Sequence, residues 1–192
     1  MDEFKKFLDK AFDENRGGSG YYDWRSLKYF LFEYEQFLQE EKKEDICKLD
    51  WSIFSQTNSD FKNIEHILPQ DDTEWKKQEW YKIKKKDKFL LTNSIGNLVA
   101  LSIPKNSSLS NNTFEIKKNG KPSDKQPIGY KYGSYSEIEI TEHKTWGYEE
   151  IKSRGLKLLD FMERRWSIKK YNKDFDFWSG IENKEDLLFL PK

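Results

Sequence analysis

The chain has 192 residues, 35% of them charged, with a formal net charge of zero and a mean hydropathy of −0.98. That length suits one domain, or one domain with helical additions, and no apolar run approaches the ~20 residues that span a bilayer. Seven Trp, ten Tyr and fourteen Phe exclude a disordered chain and can fill a core that is short of aliphatics.

Cys47 stands alone, which excludes a disulfide framework and a Cys-x-x-Cys zinc knuckle. Met1-Asp2-Glu3-Phe4-Lys5-Lys6 lacks the apolar stretch of a signal peptide. The expectation is a cytoplasmic protein without a membrane span.

Phe4, Phe7, Leu8, Ala11 and Phe12 fall at helical spacing and predict a helix over residues 2 to 14. Gly17-Gly18-Ser19-Gly20 breaks it. Asp23 is the expected cap of a second helix with the stripe Leu27, Phe30, Leu31, Tyr34, Phe37 and Leu38. Residues 42 to 60 are polar, with Trp51 and Phe54 as anchors. Ile64 to Leu68 reads as a strand ended by Pro69, and Asp71-Asp72-Thr73-Glu74 as a helix start leading to Trp75, Trp80 and Ile83.

Leu98 to Ile103 reads as a buried strand. Pro104 then suits the first turn of a helix, broken or continuous, that carries Asn106, Leu109, Phe114 and Lys117. Residues 119 to 136 read as a loop. Thr145 is the expected cap of a last long helix with the stripe Ile151, Leu158, Leu159, Met162 and Trp166, in which Gly155 allows close backbone approach. The tail after Asn172, with Phe175, Phe177 and Trp178, is expected to pack back on the body. Three segments follow: a helical part (1–60), a core with a basic loop (61–135), and a closing helix with an aromatic tail (136–192), together forming one compact domain.

The neutral total hides an uneven layout. Residues 82 to 131 carry eleven Lys against Asp87, Glu115 and Asp124, a balance of +8. Such a stretch is either a solvated face with a flexible loop or a phosphate-facing surface. Lys84-Lys85-Lys86 reads more readily as a solvated helix end than as a DNA clamp.

One ordered set of residues carries chemistry. His66 follows Glu65 in Ile64-Glu65-His66-Ile67-Leu68-Pro69-Gln70. Asn97 stands at the head of the second strand, and Asn106 lies nine positions later. Singly, each has an ordinary explanation: a structural histidine, a loop Asn, a helix-cap Asn. In this order, strand with His, loop with Asn, strand, then helix with Asn, they match a ββα-metal arrangement. Phosphodiester hydrolysis needs an activated water and charge neutralisation on the phosphoryl oxygens. His66 is the candidate base, since an imidazole titrates near working pH. Glu65 and Asn106 are a sparse, hard-oxygen donor set that suits Mg²⁺ or Mn²⁺. Asn97 is expected to bond backbone groups of its loop and hold His66 in place.

These residues resemble the HNH, or His-Me finger, nuclease domain that ends GmrSD-type restriction enzymes. The resemblance rests on Ile-Glu-His-Ile-Leu-Pro-Gln, on Ile-Gly-Asn-Leu-x-x-Leu, and on Asn-Ser-Ser-Leu-Ser-Asn followed by Phe-x-x-Lys. Trp24 to Glu35 is similar to the helix before that domain. Tyr135-Ser136, Trp146, Ile151, Arg154 and the run to Trp166 are similar to its closing helix. The match covers roughly residues 22 to 168.

The resemblance implies an α+β, mostly helical fold with a ββα-metal core and flanking helices. It implies His66 as general base, Glu65 and Asn106 around the metal, Asn97 as the loop-fixing Asn, and Lys117 near the scissile phosphate. Lys105, Lys118, Lys121 and Arg154 are the expected nucleic-acid contacts, with a salt bridge from Arg154 to Glu150 as the alternative. Glu65 stands where Asp is commoner, and Asn106 where the wider group has His. Nothing resembles the ParB-like nucleotide-hydrolysing domain of such enzymes, so a free-standing subunit or a fragment is expected. His143 reads as a surface histidine.

The expected function is metal-dependent hydrolysis of DNA in a bacterial restriction or anti-phage system. A homodimer, and a nucleotide-hydrolysing or sensor subunit as activating partner, remain open, as does a catalytically degenerate nucleic-acid-binding module.

Overall fold

The computed structural model describes residues 2–54, 63–101, 103–123, 125–126, 128–167 and 176–191. In chain order the elements are α1 (Asp2–Ala11), α2 (Leu27–Lys42), α3 (Trp51–Phe54), β1 (Asn63–His66), α4 (Lys88–Asn93), β2 (Leu98–Leu101), α5 (Ile103–Leu109), α6 (Phe114–Asn119), α7 (Tyr135–Ile140) and α8 (Tyr148–Trp166), with short 3-10 turns between. Helices dominate, and β1 and β2 make one small antiparallel sheet. This is an α+β chain.

Contacts divide the chain into two interleaved units. One comprises residues 1–25, 83–97 and 148–192; the other comprises residues 26–82 and 98–147.

The first unit is built on α1, α4 and α8. The ring of Phe12 stacks on Phe189 with centroids 4.4 Å apart and meets Tyr21 edge-on. The Tyr21 hydroxyl is buried and donates to the Leu187 carbonyl at 2.9 Å, so its phenol is pushed far above its ordinary range by desolvation. α8 lies against the turn Ile95–Asn97. A Cβ on Gly96 would run into the Ile151 carbonyl and the Gly155 amide, which is the close approach that Gly155 suggested. The tail packs back as expected: Phe177 is buried, and the Trp178 indole donates to Glu163 at 2.7 Å.

The second unit holds the sheet. β1 pairs with β2 in the register Asn63↔Leu101, Ile64↔Ala100, Glu65↔Val99 and His66↔Leu98. All four residues of β2 are buried, which explains why it reads as a continuous apolar run rather than an alternating one. α2 packs on β2 and on α7, and α5 packs on β1. Glu35 on α2 accepts from the backbone N–H groups of Tyr135 and Ser136, at 2.6 and 2.8 Å. Those are donors at the start of α7 that the helix cannot satisfy itself. Tyr34 donates to Glu139 at 3.0 Å.

Several boundaries differ from the sequence expectation. Asp23 does not cap α2; it accepts from Ser19 N–H at 2.7 Å within a 3-10 turn, and Ser26 stands before the helix. The helix expected from Asp71 is only a 3-10 turn, Trp75–Lys77. There the side chain of Asp71 folds back on Thr73, Asp72 bonds Tyr81, and the Trp75 indole reaches the Asn112 carbonyl at 2.7 Å. The break in the Asn106 helix falls between α5 and α6. α8 starts at Tyr148, not after Thr145, because Trp146 is fully buried beside Phe114. The segment read as a loop to residue 136 contains the start of α7, on a capping box of Ser134 and Glu137. Trp51 is 40% exposed and so not a core anchor, while the Phe54 side chain and Phe175 lie outside the described residues.

Gly96→Ala should lower stability by about 1–3 kcal/mol, because the added methyl overpacks a backbone contact. Urea unfolding checks this, and an unchanged midpoint would contradict the close approach.

Candidate active site

β1 ends at His66, and the two apolar residues that follow, Ile67 and Leu68, are fully buried. They tie the end of the strand into the core of the second unit. Among the described residues β1 pairs only with β2, and Glu65 is buried on it. A buried carboxylate requires a partner. Lys117, 52 positions later on α6, supplies it.

Lys117 is 0% exposed. Its ammonium forms an ion pair with Glu65 Oε1 and donates to the His66 carbonyl oxygen at 3.0 Å. The ion pair therefore also holds the backbone carbonyl of His66.

Desolvation is the leading influence on both partners. It pushes the Glu65 carboxyl above the ordinary carboxylate range and the Lys117 ammonium below the ordinary lysine range. The mutual attraction opposes each shift.

The other expected site residues are placed as follows. Asn106 is half-buried on α5, the helix that packs on β1. Lys105 is 13% exposed in its side chain and ion-paired with buried Glu137, whose carboxyl burial pushes upward. Lys118 donates to the His143 carbonyl at 2.7 Å and lies 5.5 Å from the centre of the Phe114 ring. Lys121 is half-buried. Asn97 and Arg154 belong to the first unit. Asn97 is fully buried, and its amide donates to the Thr92 carbonyl at 2.9 Å. Arg154 is 2% exposed and donates to the Gly96 carbonyl at 2.9 Å, which braces the turn ahead of Asn97.

The structure thus brings Glu65, His66 and Lys117 together. Glu137 was missed as the partner of Lys105, although Ser134-x-x-Glu137 is a readable capping signature. Among the described residues no three His, Cys, Asp or Glu side chains converge as a metal cage would require. With its carboxylate held by fully buried Lys117, Glu65 does not fit the paired role with Asn106 on a cation.

Residues 7–161 match the family model described as GmrSD restriction endonucleases, C-terminal domain. The chain belongs to this family. No curated protein and no solved structure matches it. A GmrSD C-terminal domain is a nuclease domain of the restriction-endonuclease kind, and DNA is what such an enzyme acts on. Among the described residues no helix is long and apolar enough to cross a membrane.

Lys117→Met would leave Glu65 buried without its counter-charge, at a cost of about 3–5 kcal/mol. The carboxyl would then be raised further in the folded state, which holds a proton that the unfolded chain has already released. Stability must therefore fall as pH rises above the ordinary carboxylate range. Thermal unfolding of the variant should give a higher midpoint at pH 5 than at pH 8, relative to wild type; no such difference would contradict the pairing.

Proposed function

We propose that this GmrSD-type domain is an HNH-type endonuclease that hydrolyses DNA phosphodiester bonds in a bacterial restriction or anti-phage system, with Mg²⁺ or Mn²⁺ as cofactor. The observation that carries the reading is the order of parts in one unit. A strand ending in His66 pairs antiparallel with β2, and the helix bearing Asn106 packs back on the first strand. That order suits a ββα-metal core.

His66 is the proposed general base. A neutral imidazole at the strand end takes the proton of the attacking water, the water oxygen bonds phosphorus, and the bond to the leaving sugar oxygen breaks. A divalent cation would supply charge neutralisation on the phosphoryl oxygens. The chain offers it few donors, Asn106 foremost, so water and phosphate oxygens would carry most of its coordination, as is ordinary for Mg²⁺. Asn97 is proposed to hold the loop ahead of β2. The basic stretch from 82 to 131 is proposed to meet the DNA backbone, with exposed Lys84, Lys85 and Lys86 contributing counterion release.

A second reading is favoured by the occupied Glu65 carboxylate: a nucleic-acid-binding module that has lost catalysis. It predicts salt-sensitive DNA binding without cleavage at any Mg²⁺ or Mn²⁺ concentration.

His66→Ala should lower plasmid cleavage by about 100-fold to 10,000-fold while the far-ultraviolet spectrum and the melting temperature stay near wild type. Cleavage at the wild-type rate would remove the mechanism. Asn106→Ala should reduce the rate and raise the Mg²⁺ needed for half-maximal cleavage; an unchanged Mg²⁺ dependence would take Asn106 out of the cation's surroundings.

A further inference from the structure

We infer that Glu65 and Lys117 are a positioning pair for His66, so that Glu65 is not a metal ligand and Lys117 is not a phosphate contact. The inference rests on His66 being the base proposed above.

Lys117 cannot serve as an exposed cation. Its side chain has no solvent-accessible surface, and its head is spent on the Glu65 carboxylate and the His66 carbonyl. A lysine that binds a substrate phosphate has to present its ammonium to solvent before the substrate arrives. Glu65 is buried, and its carboxylate is the counter-charge of Lys117. A cation taking that carboxylate would leave a desolvated ammonium without its counter-charge, which is costly.

The geometry points to one task. The C=O of His66 adjoins the carbon that carries its side chain. Gripping it through Lys117, itself fixed by Glu65, restrains the direction in which the ring leaves the strand. β1 is short, and His66 is its last paired residue, so the ladder holds the strand on one side of the histidine only. Beyond it, buried Ile67 and Leu68 anchor the chain, and the ion pair adds a restraint on the His66 backbone itself. Misplacing a reacting group by about 1 Å can cost on the order of 10²-fold in rate.

The test is steady-state cleavage of plasmid DNA by the whole chain, with Mg²⁺ and salt titrated. It compares wild type, Glu65→Gln, Lys117→Met, the double variant Glu65→Leu/Lys117→Met, and His66→Ala. Each of the first three variants should lose about 10-fold to 100-fold in kcat, with KM for DNA and the Mg²⁺ midpoint changed by less than about threefold. The double variant should regain melting temperature, because it removes both charges, yet its kcat should be no worse than that of the poorer single variant and well below wild type.

Three results would overturn the inference. A tenfold rise in the Mg²⁺ midpoint for Glu65→Gln would make Glu65 a ligand. A raised KM and a shallower salt dependence for Lys117→Met would make Lys117 a phosphate contact. Recovery of wild-type kcat in the double variant would make the pair structural alone. Full activity in His66→Ala would instead sink the proposed mechanism itself, whatever the pair does. If Lys117→Met fails to fold, the double variant and Glu65→Gln still decide.

Discussion

A buried ammonium is the constraint around which the second unit is arranged. Lys117 on α6 has no contact with water and must find its partners inside the protein. It finds them at the end of β1, in Glu65 and the carbonyl of His66. The pairing ties a four-residue strand to a six-residue helix, neither long enough to be stable alone. Desolvation pushes both partners toward their neutral forms, so the arrangement costs free energy that packing elsewhere must offset. Such pairs are weak grounds for stability, and their better-attested use is to specify one arrangement over others.

The same logic recurs beside it. Lys105 pairs with buried Glu137, and Glu137 closes the capping box that starts α7. Glu35 caps the same helix from α2. Acidic groups that look like surface charge in the sequence are internal fasteners here. This changes how the basic stretch is understood: Lys105, Lys117 and Lys118 are turned to interior or backbone partners, whereas Lys84, Lys85 and Lys86 are exposed. The charge available to a nucleic acid in that stretch is correspondingly smaller than the sequence total. Membership of the GmrSD C-terminal family gives the chain its nuclease character, and the ion pair bears on how its histidine is held.

Local signals were the legible ones. The stripes of α2 and α8, the apolar run of β2 and the short strand before Pro69 follow from periodicity and from buried side chains. The break between α5 and α6 was foreseeable from the polar residues Ser110 to Thr113. α7 was missed because Gly, Pro and Lys before it dominate the window, although its cap was present in Ser134 and Glu137. The turn at Trp75 was misjudged because a distant carbonyl, that of Asn112, holds the indole. Within the candidate site the residue types were readable, but their partners were not. Nothing in the spacing of Glu65 and Lys117 says that two charges 52 positions apart neutralise each other, and nothing around Arg154 says that it turns inward to Gly96. Those depend on tertiary packing, to which local pattern is blind.

The most direct measurement is nitrogen-15 NMR of the lysine side-chain ammonium groups at neutral pH. Shielding from water should give Lys117 a slowly exchanging ammonium resonance, and Glu65→Gln should move or abolish it while exposed lysines such as Lys84, Lys85 and Lys86 stay averaged with solvent. If every lysine ammonium exchanges at the solvent-limited rate and no resonance responds to Glu65→Gln, Lys117 is not enclosed against Glu65 and His66, and the account of how the histidine is held fails.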